Sequence, residues 1–125
     1  MTNCFIRILT FSFCFFSLKV SSQQKERFHQ GIIAFYNLEN LYDTINQDFV
    51  DDEEFTPEGT RRYTGEVYKD KLKHLDKVLT ELGTDHHPNG AAIIGVAEIE
   101  NRSVLRDLCL QDGIRSRDYK IVHYD

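Results

Sequence analysis

Cysteine is scarce in this chain, with three in 125 residues, at Cys4, Cys14 and Cys109. Cys4 and Cys14 fall within an N-terminal leader pattern, so Cys109 alone remains beyond it and no internal disulfide is available there. A disulfide-stapled mini-protein is excluded. Cys109 lies in the apolar pattern Val104, Leu105, Leu108 with no His or Asn beside it, and reads as a small buried hydrophobe rather than a nucleophile. Two prolines, seven glycines and the absence of any internal repeat exclude a fibrous or low-complexity chain. With 41% hydrophobic and 28% charged residues, the composition is that of one ordinary globular domain. Positive charge is in deficit too, at net −5. No basic stripe carries interleaved aromatics, and Arg61-Arg62 is a local loop pair, so nucleic-acid binding finds no support in charge.

What is present begins with an apolar run from Phe5 to Val20, holding only Arg7 and Lys19 as charges. It is shorter than the roughly 20 apolar residues of a spanning helix and is interrupted by Arg7, so no stable membrane span is expected. Followed by Val20-Ser21-Ser22 and a polar stretch, it reads as a secretory signal peptide over residues 1–22, cleaved after Ser22. That reading implies export, to the periplasm or the exterior. Removing it takes Arg7 and Lys19 from the 15 Lys and Arg and nothing from the 20 Asp and Glu, leaving a net charge of about −7.

Ile32 to Tyr36, rich in β-branched and aromatic residues, predicts a buried strand that delivers Asn37, Glu39 and Asn40 at its end. Residues 43–66 lack any sustained period and read as a long surface loop, either a lid or a passive insertion. Its acidic run Asp48, Asp51 to Glu54 lacks the spacing of a calcium loop and reads as a solvated face. Val67, Tyr68, Leu72, Leu75, Val78, Leu79 and Leu82 then recur every three or four residues, with Lys69, Lys71, Lys73 and Lys77 on the other side. This predicts an amphipathic helix with Thr64 as N-cap and Gly83 just past its end. The turn-forming residues 84–90, His86 and His87 included, lead to a second apolar run, Ala91 to Ala97, that predicts a buried strand ending at Glu98. Arg102 to Leu110 predicts a short helix capped by Asn101 or Ser103, and Tyr119, Ile121 and Val122 the start of a third strand. The order β, loop, α, β, α, β is that of an α/β domain.

Chemistry concentrates at the two strand ends, Asn37 with Glu39 after the first and Glu98 with Glu100 and Asn101 after the second. A Glu directly after an apolar run is costly to desolvate, and a hard divalent cation bound through oxygen is a natural partner for it. The alternative is a strand-end acid that reaches water.

Three segments carry a specific resemblance: Phe35-Tyr36-Asn37-Leu38-Glu39-Asn40-Leu41-Tyr42-Asp43, Asp51 through Gly59, and Gly95-Val96-Ala97-Glu98-Ile99-Glu100-Asn101-Arg102-Ser103-Val104-Leu105. Together with the closing His123-Tyr124-Asp125, they resemble the exported bacterial branch of the endonuclease/exonuclease/phosphatase family. The resemblance implies that residues 31–125 are the N-terminal part of a four-layered α/β sandwich, two packed sheets flanked by helices. It implies metal-dependent hydrolysis of phosphate esters, by a nuclease or phosphodiesterase whose substrates include nucleic acid. A phosphomonoesterase, a sphingolipid or inositol phosphate hydrolase, or an inactive exported binding module are the alternatives.

Carried over by position, Asn37 and Glu98 take catalytic roles, and Glu98, Asn37 and Glu39 form the metal set for Mg2+ or Mn2+. Ala97 stands where the family commonly has Gln. The family's His, its Asp-x-Asn pair and its late Asp-His pair are expected beyond Asp125, so the 125-residue piece alone is expected to be inactive.

Overall fold

The computed structural model describes residues 30–48 and 50–124; the expected signal peptide, residues 1–22, lies outside them. Strand β1 spans Ile33–Leu41, helix α1 Gly65–Glu81, strand β2 Ile93–Ile99 and helix α2 Arg102–Cys109. Short 3-10 turns occupy Glu53–Phe55 and Arg115–Arg117. α1 starts where Thr64, in extended backbone, accepts at its hydroxyl from the Val67 amide at 3.5 Å. It stops where Leu82 turns extended and Gly83 takes φ 82°, the left-handed conformation glycine adopts without penalty. A Cβ on Gly83 would also press on Ile32 and the Ala91 amide, at 3.1 and 3.2 Å, so glycine lets the helix end sit against the starts of both strands. Asn101, rather than Ser103, caps α2: its Oδ1 accepts from the Ser103 and Val104 amides at 2.7 and 3.2 Å.

The two strands pair in parallel, Ile33 opposite Ile93 through Asn37 opposite Ala97, an arrangement that requires a crossover such as α1. Both helices cover one face of this sheet. Leu38 and Leu41 of β1, Leu72, Leu75 and Leu79 of α1, Val104, Leu105 and Leu108 of α2, and Ile114 form one buried cluster. Tyr36, Ile94 and Val96 pack against it from the sheet. Burying each such leucine contributes about 1.5–3 kcal/mol relative to leaving it exposed. The opposite face is open, with Ile33 77%, Phe35 70% and Ile93 59% exposed. The described residues thus form an α/β unit of two layers, one two-stranded sheet and one layer of helices. Among them no helix is long and apolar enough to cross a membrane.

The third strand expected at Tyr119–Val122 is not formed. Its alternation is real, since Tyr119 and Ile121 pack on the core while Lys120 and Val122 face solvent. One-sided burial does not require a hydrogen-bonded neighbour, however, and Tyr119 docks through its hydroxyl, which donates to the Ala91 carbonyl. The Cys109 expectation fits: the thiol is half-buried, and burial raises its pKa, which disfavours the thiolate.

The loop over residues 43–66 is more ordered than its composition suggests. Phe55 stacks on Tyr42 with ring centroids 4.1 Å apart, Tyr63 meets Phe55 edge-on at 5.8 Å, and the Arg61 guanidinium lies 4.7 Å over the Phe55 ring. Arg61 also pairs with Glu54 at 3.0 Å. Within the acidic run, Asp52 is only 2% exposed and accepts from the Gln47 amide at 3.1 Å, so that part of the run is not a solvated face. The aromatic anchors order the loop despite its polar composition, because Phe55 and Tyr63 are buried and their ring contacts add to the apolar area they remove from water.

Tyr63 closes this cluster with its hydroxyl buried and without a hydrogen-bond partner. Burial first, then Glu100 and Asp43, pushes its phenol up from 10.0 to about 12. A raised phenol favours the folded state below the unfolded value, so the associated stability is present up to pH 10.0 and lost as pH climbs through about 12. Tyr63→Phe is therefore expected to raise stability at neutral pH by about 1 kcal/mol, by removing an unsatisfied buried hydroxyl. It also flattens the loss of stability between pH 10.0 and about 12 relative to wild type. Urea denaturation of both proteins across that range checks this; a less stable variant with an unchanged alkaline profile contradicts it.

Candidate functional site

The regular parallel pairing of β1 and β2 ends at Asn37 opposite Ala97, and there it brings together the two residues singled out first by sequence. Asn37 donates through Nδ2 to Glu98 Oε1 at 2.8 Å. Its Oδ1 accepts from the Glu39 amide at 2.7 Å, closing a tight turn on β1. The orientation of the carboxamide is fixed by both partners, because a carboxylate only accepts and a backbone amide only donates. Asn37 is thereby held as a strut, nitrogen toward Glu98 and oxygen toward its own chain, with one N–H and one lone pair still available.

The backbone here departs from regular strand geometry. Between the pairs Asn37–Ala97 and Leu41–Ile99, β1 advances four residues while β2 advances two. The surplus forms a bulge in which Glu39 and Asn40 take φ 55° and 59°, and Glu98 across the sheet takes φ 57°. These left-handed turns re-aim the side chains at the end of the sheet, a common use of bulges next to active sites. Glu39 and Glu98 are both exposed there. Among the described residues, no group of three or more His, Cys, Asp or Glu converges on one point that could hold a metal ion.

Two further residues organise the site and were not assigned roles from sequence. Lys71 of α1, placed on the polar side by the periodicity, is half-buried and donates to the Asn40 carbonyl at 2.9 Å and to the Glu39 carbonyl. Burial lowers its pKa, Glu39 and Glu98 pull it back up, and Arg61 adds to the lowering. The signal was available: Lys71 follows Tyr68 by three residues and precedes Leu75 by four, which puts it on the margin of the apolar stripe. Glu100 is the second. It accepts from the Asp43 amide at 2.7 Å and from the Gln47 side chain at 2.6 Å, pinning the loop against the end of β2. Burial raises its pKa, the Asp43 amide opposes the rise, and the Asp43 and Asp52 charges add to it. Sequence placed Glu100 at the strand end, but nothing local in it names a partner more than 50 residues away.

A model of the endonuclease/exonuclease/phosphatase family matches residues 32–125, and the chain belongs to that family. No curated protein and no solved structure matches the chain. The family's chemistry is hydrolysis of phosphate esters, generally with a divalent metal. The match takes in both strand ends, the bulge and the loop.

The hydrogen bonds to Glu100 predict that it sets the order of residues 43–47. Bonds to a charged group contribute about 1.5–3 kcal/mol, so Glu100→Ala is expected to speed exchange of the Asp43 amide by roughly tenfold to a hundredfold. Amide hydrogen exchange checks this, and an unchanged Asp43 rate contradicts it.

Proposed function

We propose that this protein is an exported phosphodiesterase or nuclease in which Glu98 holds a divalent cation, Mg2+ or Mn2+, at the paired ends of β1 and β2. The observation that carries the reading is the Asn37–Glu98 hydrogen bond of 2.8 Å inside the family match. The donor set suits such an ion. Mg2+ keeps several waters and needs only one or two protein carboxylates, and Glu98 offers one at an exposed strand end with Glu39 nearby. An arrangement of this kind does not require three converging acids. When bound, the cation supplies positive charge against the negative charge that develops on the phosphoryl oxygens.

The chain's own residues prepare that position. Asn37 holds one oxygen of Glu98, fixing the rotation of the carboxylate and leaving its remaining lone pairs for the ion. Its Oδ1 accepts from the Glu39 amide and keeps a second lone pair, so in this reading Asn37 orients Glu98, stands beside the phosphate, and completes the metal set with the carboxylates of Glu98 and Glu39. Export rests on the leader pattern of residues 1–22. The four-layered sandwich is the proposed context for the open face carrying Ile33, Phe35 and Ile93, which suits a second sheet.

Hydrolysis of duplex DNA, of a small phosphodiester and of a small phosphomonoester by the full-length protein, measured side by side, tests the proposal. The expected result is diester cleavage that stops with EDTA, returns with Mg2+ or Mn2+, and falls by about 10²- to 10³-fold in Glu98→Gln. Phosphomonoester cleavage alone would shift the substrate class. Diester cleavage undiminished by Glu98→Gln or by EDTA would remove Glu98 and the cation from the account.

A further inference from the structure

The bulge in β1 leaves two backbone carbonyls, those of Glu39 and Asn40, outside the regular ladder. Such groups require partners, since an unpaired carbonyl away from water costs free energy. Lys71 Nζ, reaching from the middle of α1, donates to both; the Asn40 carbonyl also accepts from the Tyr42 amide at 3.1 Å, so the Glu39 carbonyl is the one that depends on Lys71. Lys69, Lys73 and Lys77 of the same helix point to solvent, whereas Lys71 is drawn in. Among the described residues, Lys71 forms no ion pair within 4.0 Å, so its donors serve the bulge.

We infer that Lys71 is the positioning residue of this site, setting the Asn37–Glu98 pair by clamping the bulge that carries Glu39. The inference rests on the reading of Glu98 as the cation-holding residue and deepens it. A continuous series of bonds connects the two ends. Lys71 holds the Glu39 and Asn40 carbonyls, the Glu39 amide donates to Asn37 Oδ1, and Asn37 Nδ2 donates to Glu98 Oε1. Each link fixes the next, because Asn37 turns its nitrogen toward Glu98 only while its oxygen is held by the Glu39 amide. Without the clamp, the bulge relaxes, that amide moves, and the Asn37 carboxamide is free to rotate away. A lysine that merely stabilises the fold would change the melting temperature without altering the carboxamide, and its removal would strengthen rather than weaken cation binding, since its charge acts on Glu39 and Glu98.

The test compares wild type, Lys71→Met and Lys71→Arg as the full chain, with two readouts beside thermal unfolding. The first, made without metal, is the pair of side-chain amide NMR signals of Asn37. The second is Mn2+ affinity by titration calorimetry, with Glu98→Gln as the reference for loss of the site. Lys71→Met is expected to shift the Asn37 signals toward those of a free carboxamide and to weaken Mn2+ binding by about 10- to 100-fold. Lys71→Arg, which keeps several donors, restores most of both. Should Lys71→Met fail to fold, Lys71→Gln, retaining one amide donor pair, replaces it in both measurements. Asn37 signals that stay at their wild-type positions overturn the inference, whatever the melting temperature does. Wild type that binds no Mn2+ overturns the cation reading instead, and the Asn37 signals then decide the role of Lys71 on their own.

Discussion

Asn37 and Glu98 are 61 residues apart in sequence and meet because β1 and β2 pair in parallel with Asn37 opposite Ala97. Every other feature of the site depends on that register. A shift by one residue would send Asn37 to the helix-covered face and bring Leu38 out into water. The register is held from below: Tyr36 and Leu38 of β1, with Ile94 and Val96 of β2, rest on the leucines of α1 and the apolar side of α2. The core therefore stabilises the fold and also sets which side chains face each other at the sheet's end.

The strand ends store strain that the surrounding bonds offset. Glu39, Asn40 and Glu98 all adopt left-handed φ, which costs an ordinary L-residue about 1–2 kcal/mol. Against this stand the two hydrogen bonds of the Asn37 carboxamide and the two made by Lys71. Net contributions of about 0.5–1.5 kcal/mol per neutral bond, and more where a charge takes part, are of the size needed. The loop beyond is tied in separately, through Glu100 to Asp43 and Gln47 and through the stack of Tyr42 on Phe55. The loop thus rests on a small aromatic cluster that joins the main core through the contact of Tyr63 with Tyr68.

Much of this was legible in the sequence, for identifiable reasons. α1 and its two ends followed from the spacing of Leu72, Leu75 and Leu79, from Thr64 and from Gly83, all local signals. The strands followed from short apolar runs, but β1 continues past its run to Leu41, so Asn37 marks the end of the regular pairing with β2 rather than the end of the strand. What escaped was non-local. The unpaired course of Tyr119–Val122 was hidden because alternation records which side is buried and is silent about whether a neighbouring strand exists. Asp52 was hidden in an acidic run because its burial depends on Gln47 and the ring cluster, which composition does not display. Lys71 was assigned to the solvent side because a helical pattern marks faces, whereas its partner is a bulge on another element whose existence no residue type announces.

The central claim is that the Asn37–Glu98 pair at the paired strand ends is the seat of a divalent cation. Crystals grown with Mn2+, with an anomalous difference map calculated at the manganese edge, test it most directly. The account predicts a peak about 2.0–2.2 Å from the Glu98 carboxylate, a normal metal–oxygen distance, with Asn37 Nδ2 still donating to the same carboxylate. A map with no peak beside Glu98, or with manganese held elsewhere while Glu98 faces only water, would contradict it.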